Sequence, residues 1–89
     1  MEIEIDLASV KNKEDLHALL KNMLDFPDYY GRNLDALYDV LTESGDGWNI
    51  IFYNSKFARY RLGKYFDALC RLCREAAEDV HDLKIRFYM

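Results

Sequence analysis

The chain has 89 residues, enough for one hydrophobic core, so we expect a single domain spanning 1–89. Half of the residues (51%) are hydrophobic and 15% are aromatic, a composition that excludes an intrinsically disordered chain. The formal net charge of −4 argues against nucleic acid as the main partner.

The start of the chain, MEIEIDL, alternates apolar and polar residues and predicts a first strand. A helix is predicted over about 13–24, with Asn12 as its N-cap. Pro27 closes the segment, because proline disfavours a helical residue before it. The apolar residues at helical spacing, which we expect to face the core, are Leu16, Leu19, Leu20 and Met23.

A second helix is predicted to begin after Asn33, its N-cap, and to reach about Thr42. Its buried stripe is predicted to consist of Leu34, Leu37, Tyr38 and Leu41. The segment ESGDG is a loop, and WNIIFY is a continuous apolar run typical of a strand buried on both faces.

The last third of the chain predicts two helices and a strand. A short helix is expected over about 55–60 and a long one over about 62–79, followed by the strand LKIRFYM. The inward positions of the long helix are Leu62, Tyr65, Phe66, Leu69, Cys73 and Ala76. Strands separated by helical crossovers pair in parallel, so the predicted fold is α/β, with a small three-stranded parallel sheet and about four helices.

The second helix carries an unusual acidic pair. Asp35 and Asp39 are four residues apart, so they share one face, away from the leucine stripe. The helix dipole favours Asp35 in the first turn, but Asp39 is mid-helix with no base three or four residues away. This like-charge pair costs on the order of a few tenths of a kcal/mol, which fits either a solvated face or a cationic partner.

Two adjacent tyrosines precede this helix. We expect one of Tyr29 and Tyr30 to pack over the end of the first helix and the other to stand exposed as an interface anchor. Gly31 would let the chain turn into the helix, either through a positive φ or through a close approach of the backbone.

Charge is divided along the chain. Between residues 25 and 46 there are six acids and one base, Arg32, whereas between 56 and 74 there are six bases and one acid, Asp67. If each segment presents one face, the protein is an electrical dipole whose negative end repels nucleic acid and attracts a basic partner.

A second acidic pair, Glu75 and Asp79, lies on the long helix. Arg71 stands four residues before Glu75, so a surface ion pair would account for Glu75 without any partner.

No catalytic pattern is present: the chain has no nucleophile elbow, phosphate-binding glycine loop or triad spacing. His17 and His81 lack the spacing of metal ligands. Cys70 and Cys73 fit packed thiols better than a redox pair, because a helix pattern runs upstream of them. We therefore expect no enzyme activity, no metal and no cofactor.

The stretch FPDYYGRNLDALYDVLTE resembles the barstar family, small cytoplasmic inhibitors of the secreted ribonuclease barnase. The pattern P-[DE]-Y-Y-G-x-N-L-D-A-L-x-D is long and specific, DLHALLK stands at the family's distance upstream, and CREAAED resembles the family's last helix. The similarity spans essentially the whole chain, most strongly over 14–42 and least over 43–68. It implies three parallel strands and four helices.

The resemblance also implies a binding surface made by the loop before the second helix and by that helix's exposed face. Tyr29 would cover the catalytic centre of the ribonuclease. Asn33, Leu34 and Asp35 would contact the rim of the nucleotide site. Asp39 would reach the phosphate-binding pocket, where its carboxylate would stand in for the substrate phosphate.

The resemblance implies further contact residues around this binding surface. Glu75 would add a charge contact from the long helix, and Asp79 is a further candidate there. Tyr38 stands where the family often has tryptophan. Arg32 replaces the acid usual between the glycine and the asparagine, and Trp48 is displaced into the second strand. These departures leave the target open: a barnase-like ribonuclease, or a related toxin nuclease for which this chain is the immunity protein.

From this resemblance we expect the partner to be a basic ribonuclease, bound in a one-to-one complex. We expect the free inhibitor to be a monomer. No apolar run approaches the roughly 18 residues of a membrane span, and MEIEIDL is not a signal peptide, so we expect a cytoplasmic protein without a membrane partner. The alternative is an RNA-binding module that uses the basic face 56–74, with Phe57, Tyr60 and Tyr65 interleaved. Those aromatics, however, fall at helical core spacing.

Overall fold

The computed structural model describes all residues, 1–89, and shows three strands and four helices. In chain order these are β1 (Glu2–Asp6), α1 (Lys13–Leu24), α2 (Leu34–Ser44), β2 (Asn49–Tyr53), α3 (Ser55–Leu62), α4 (Lys64–Asp79) and β3 (Lys84–Phe87). The predicted α/β fold with three strands and four helices is confirmed.

The sheet has the order β1-β2-β3, and both strand pairs are parallel. The register joins Ile5 to Phe52 and Ile50 to Ile85. Parallel neighbours need long crossovers, which α1 and α2 supply between the first two strands and α3 and α4 between the last two. Because the order is β1-β2-β3, the second strand lies at the centre of the sheet.

One face of the sheet carries the core. Ile5, Ile50 and Phe52 are buried in a cluster of 18 residues to which all four helices contribute. Phe52 stacks on Phe87 of the neighbouring strand, and Phe66 of α4 meets the Phe87 ring edge-on. These contacts fix α4 against the third strand. They therefore also set the position of the exposed face of α4.

The prediction that the second strand is buried on both faces is wrong for its outer face. Tyr53 is exposed there and Asn49 is half-buried. Ile51 is buried but lies outside the core cluster, between Glu4 and Arg86 in the register. The long side chains on either side can cover Ile51 with their apolar stems, so burial here needs no second layer of helices.

Three helix details differ from the sequence-based expectations. In α1, Met23 is 41% exposed, and His17 and Leu24 are buried instead, so the buried stripe is rotated by one residue. The long helix begins at Lys64 because Gly63, with φ 57° and ψ −123°, interrupts the helical conformation of the backbone between α3 and α4. Tyr60 was expected at core spacing but is 90% exposed.

None of the four helices has the length and apolar character that crossing a membrane requires.

Candidate functional site

The entry into α2 is fixed by Asn33. Its backbone is extended (φ −143°), and its Oδ1 accepts a hydrogen bond from the amide of Ala36 at 2.7 Å. Its Nδ2 donates to the carbonyl of Gly31 at 3.2 Å. The predicted N-cap is confirmed, and the same side chain also ties the preceding loop to the helix.

The loop between α1 and α2 needs glycine for space and not for its φ angle. A Cβ on Gly31 would lie 3.1 Å from the Cβ of Ala36, which is closer than ordinary packing allows. The left-handed conformation falls on the next residue, Arg32, with φ 53°. The loop therefore lies close against the first turn of α2.

The two tyrosines divide as the sequence predicts. Tyr30 is 6% exposed, and its ring centroid lies 4.8 Å from that of Phe26. Tyr29 is 81% exposed. The exposed ring therefore stands next to a residue that is anchored in the core.

A buried histidine holds Tyr30 in place. His17 is 1% exposed, and its Nδ1 and Nε2 each lie 2.7 Å from a tyrosine hydroxyl, of Tyr30 and Tyr65 respectively. A neutral imidazole satisfies both, since one ring nitrogen donates and the other accepts. Burial, followed by the charge of Arg32, lowers the pKa of His17, and burial raises the pKa of Tyr30. No motif or spacing in the sequence indicated this bridge between two tyrosines.

The exposed face of α2 forms a ridge between two grooves, and Asp39 lines both of them. The groove towards α4, which we call the α4 groove, has a volume of about 430 Å³. Its lining residues are Asp35, Tyr38, Asp39, Ala68, Arg71, Leu72 and Glu75.

The second groove, which we call the loop groove, has a volume of about 560 Å³. It is lined by Pro27, Tyr29, Tyr30, Gly31, Ala36, Asp39, Val40, Glu43 and Ser44. Asp39 thus stands on the crest between an aromatic groove and a charged one. Glu43 and Arg71 were not among the predicted site residues.

The carboxylates of Asp35, Asp39 and Glu75 are unpaired. All three residues are exposed. The ion pair within 4 Å is Lys21 with Asp28, and His81 lies 3.2 Å from Asp82, so the surface ion pair considered for Glu75 is absent. The predicted acidic face is therefore a set of carboxylates available to an external cation.

Tyr38 and Asp79 contact each other across the two helices. The Tyr38 hydroxyl donates a hydrogen bond to the Asp79 carboxylate, and this bond, followed by desolvation, raises the pKa of Tyr38. Both residues are near the α4 groove, but Asp79 does not line it. Two of the predicted contact residues, Tyr38 and Asp79, are thus already engaged with each other within the chain.

Arg32 does not intrude on the acidic face. It lines a separate pocket with Lys13, Glu14, Asn33 and Tyr65. Neither groove that contains Asp39 includes it. Leu34 is half-buried and Asn33 is exposed at the same end of the helix. Arg32 therefore lies at the edge of the surface and leaves its centre acidic.

The basic segment does not form one face. Arg61 donates from Nη1 to the carbonyl oxygens of Ala8 at 2.6 Å and Val10 at 3.2 Å. Arg71 lines the α4 groove, whereas Arg74 lines a different groove beside β3. Three of the segment's six bases thus lie in three separate places.

The thiols and the acids form no reactive or metal-binding centre. Burial raises the pKa of both Cys70 and Cys73, which keeps them as thiols and makes them poor nucleophiles. No group of three or more His, Cys, Asp or Glu side chains is placed to hold a metal ion.

Comparison with known proteins identifies the family of this chain. The family model described as "Barstar (barnase inhibitor)" matches residues 1–89. A Bacillus subtilis (strain 168) protein named "Putative ribonuclease inhibitor YrdF" is 45% identical over 85 residues, covering 90% of this chain and 89% of the relative. The chain therefore belongs to the barstar family, whose members are inhibitors and not enzymes.

Proposed function

We propose that this protein inhibits a basic ribonuclease by laying the ridge of α2 over the nuclease's active site, one inhibitor for each nuclease molecule. Family membership and the ribonuclease inhibitor relative support the class of partner. The single observation that carries the proposal is Asp39, an exposed carboxylate on the crest between two grooves with no base within 4 Å.

Asp39 acts as a phosphate mimic. A ribonuclease site must hold the phosphate of RNA, so it presents arginines and lysines at a pocket that a carboxylate can also occupy. Charge-assisted hydrogen bonds to that carboxylate are strong when surrounding contacts exclude water. Asp35 and Glu75 add negative charge on the α4 side of the same ridge.

Tyr29 supplies the contact that excludes water. Its exposed ring stands at the loop groove, beside Asp39, and covers the catalytic centre of the nuclease. The loop is held in advance by Tyr30 and His17, so little conformational entropy is lost when Tyr29 is buried. Asn33 and Leu34 contact the rim from the first turn of the helix.

The acids also govern the encounter. A basic nuclease is attracted to the acidic ridge before contact, which raises the association rate above that of neutral surfaces. The target is a barnase-type ribonuclease or a related toxin nuclease, which this protein neutralises in the cytoplasm as an immunity protein. The free inhibitor is a monomer.

The test is affinity capture from the native cell on the immobilised parent protein, with immobilised Asp39→Ala as the matched control. We expect a ribonuclease on the parent column that is depleted on the control column. Titration of the purified nuclease should reach full inhibition at one equivalent. A parent protein that inhibits no captured nuclease, or that captures equally on both columns, contradicts the proposal.

RNA binding by the basic segment has one observation in its favour: Tyr60 is exposed and stands four residues from both Lys56 and Lys64. Exposed aromatics beside bases can stack on nucleic acid. The engagement of Arg61 and the position of Arg71 among acids weaken this alternative. Titration of labelled single-stranded RNA at low salt decides it, and we expect no saturable binding.

A further inference from the structure

Arg71 is the one basic residue that lines either groove beside Asp39. It is exposed on α4 and shares the α4 groove with Asp35, Asp39 and Glu75. None of these carboxylates lies within 4 Å of it, although Glu75 is only one helical turn away. A lone cation thus stands inside a surface that is otherwise suited to cations of a partner.

Burial of this groove under a nuclease would remove water from Arg71. A guanidinium that loses its water without gaining a carboxylate is strongly unfavourable, and nearby cations of the nuclease make it more so. The carboxylates of the groove cannot resolve this conflict fully. Each one that turns to Arg71 is withdrawn from the nuclease cations that it would otherwise bind.

We propose that Arg71 determines specificity: it selects ribonucleases that present a carboxylate opposite the α4 groove, next to the cationic pocket that receives Asp39. This inference rests on the proposed function and adds the charge layout of the partner. The matching surface is basic opposite the α2 ridge and acidic opposite α4. A nuclease that is basic across the whole contact is rejected by the like charge.

Two other arginines, Arg32 and Arg74, lie outside the α4 groove and can be compared with Arg71. Arg32 lines the separate pocket with Lys13 and Tyr65, so it does not face the same part of a partner. Arg74 is also exposed on α4, three residues further on, but it lines the groove beside β3. Arg74 is therefore a matched control: the same charge on the same helix, outside the surface that binds.

The experiment measures inhibition constants of the parent, Arg71→Glu, Arg74→Glu and Asp39→Ala proteins against the ribonuclease captured on the parent column. We expect Arg71→Glu to weaken inhibition at least tenfold relative to Arg74→Glu. Replacing the facing acid of the nuclease by lysine should weaken the parent and restore binding to Arg71→Glu. Urea denaturation of each variant checks that the fold is kept.

The outcomes separate the two proposals. If Arg71→Glu inhibits as well as Arg74→Glu, or better, Arg71 meets no carboxylate and the inference is overturned, while a loss with Asp39→Ala still supports inhibition through the ridge. If Asp39→Ala also inhibits like the parent, the proposed function fails. In the free protein, Arg71→Gln and Glu75→Gln should change stability independently. A clear coupling between them would mean that Arg71 is paired within the chain, which also overturns the inference.

Discussion

The Tyr38 hydroxyl donates a hydrogen bond to the carboxylate of Asp79, and so joins the middle of α2 to the last turn of α4. These two helices are the walls of the α4 groove. The bond therefore holds the spacing between Asp39 on one wall and Glu75 on the other, and it occupies a carboxylate that would otherwise be open to a partner.

Tyr38→Phe should lower the free energy of unfolding, because it removes the hydrogen bond that joins α2 to α4. We expect Asp79→Asn in the Tyr38→Phe background to cost little more, because the partner of Asp79 is already gone. Urea denaturation of the two single variants and the double variant measures this coupling. Strictly additive losses would show that the two side chains do not interact in solution.

Asp39→Ala should weaken inhibition of the cognate ribonuclease at least a hundredfold, about 3 kcal/mol, because it leaves buried cations of the nuclease without an anion. Effects of this size are known for charge pairs in the complex of barnase with barstar. Folding should be unchanged or slightly improved, since a like charge beside Asp35 is removed.

The control for that variant is Asp67→Ala, another exposed acid outside both grooves. It should inhibit like the parent, and Asp35→Ala should fall between the two. Inhibition titrations paired with denaturation separate binding from folding. Equal inhibition by Asp39→Ala and Asp67→Ala would show that the phosphate-mimic role is wrong.

Tyr29 and Tyr30 should respond in opposite ways. Tyr29→Ala removes an exposed ring, so it should weaken inhibition tenfold or more and leave stability within about 0.5 kcal/mol. Tyr30→Phe deletes the hydroxyl that meets His17, so it should cost about 1–3 kcal/mol of stability by leaving a buried ring nitrogen without a partner. Loss of inhibition alone in Tyr30→Phe would contradict this division.

Stability should fall in mild acid because of His17. Its pKa is lowered from 6.5, mainly by burial, so the unfolded chain takes up a proton more readily than the folded one. The contribution of the neutral ring is complete above about pH 6.5 and declines as the pH falls from there towards the folded pKa. One histidine can contribute a slope of at most about 1.4 kcal/mol per pH unit.

The second histidine provides the control for this pH effect. His81 is exposed and lies 3.2 Å from Asp82, so His81→Gln should keep the decline in stability between pH 7 and pH 5.5. His17→Gln should be less stable at neutral pH and should show a shallower decline. Urea denaturation across this range measures both, and identical slopes in all three proteins would rule out His17 as the cause.

Association should be fast and strongly slowed by salt. Attraction between an acidic ridge and a basic nuclease acts before contact, and ions at 0.1 M screen it beyond about 10 Å. Stopped-flow measurements at low and high ionic strength give the association rates. A rate that does not change with salt would exclude charge steering, even if the complex were tight.

Local sequence patterns were enough to predict the secondary structure that positions this site. The alternation in MEIEIDL and the N-cap at Asn33 depend on neighbours in sequence, and both were found as predicted. The expectation that one of Tyr29 and Tyr30 packs in the core while the other is exposed was also confirmed. Asp39 stood out because nothing nearby in the chain compensates its charge.

Features that join distant residues could not be predicted in the same way. The ring of His17 meets Tyr65, which is 48 residues away, so no spacing indicated that a polar side chain would fill a core position in α1. Arg71 belonged to a run of bases in the sequence. Its nearness to Glu75 followed from the sequence, but only the packing of α4 beside α2 places it in one groove with Asp35 and Asp39, away from Arg74.

The order of the strands also has a consequence for how the protein folds. The register joins Glu2 to Asn49 and Asn49 to Lys84, so paired residues lie 47 and 35 positions apart and no hairpin can nucleate the sheet. Such distant pairings slow folding, because chain entropy is lost before the contacts form. An inhibitor with this strand order can bind its target only after all three strands have paired. The time that a newly made chain needs to pair its strands therefore sets a minimum delay before the inhibitor can act.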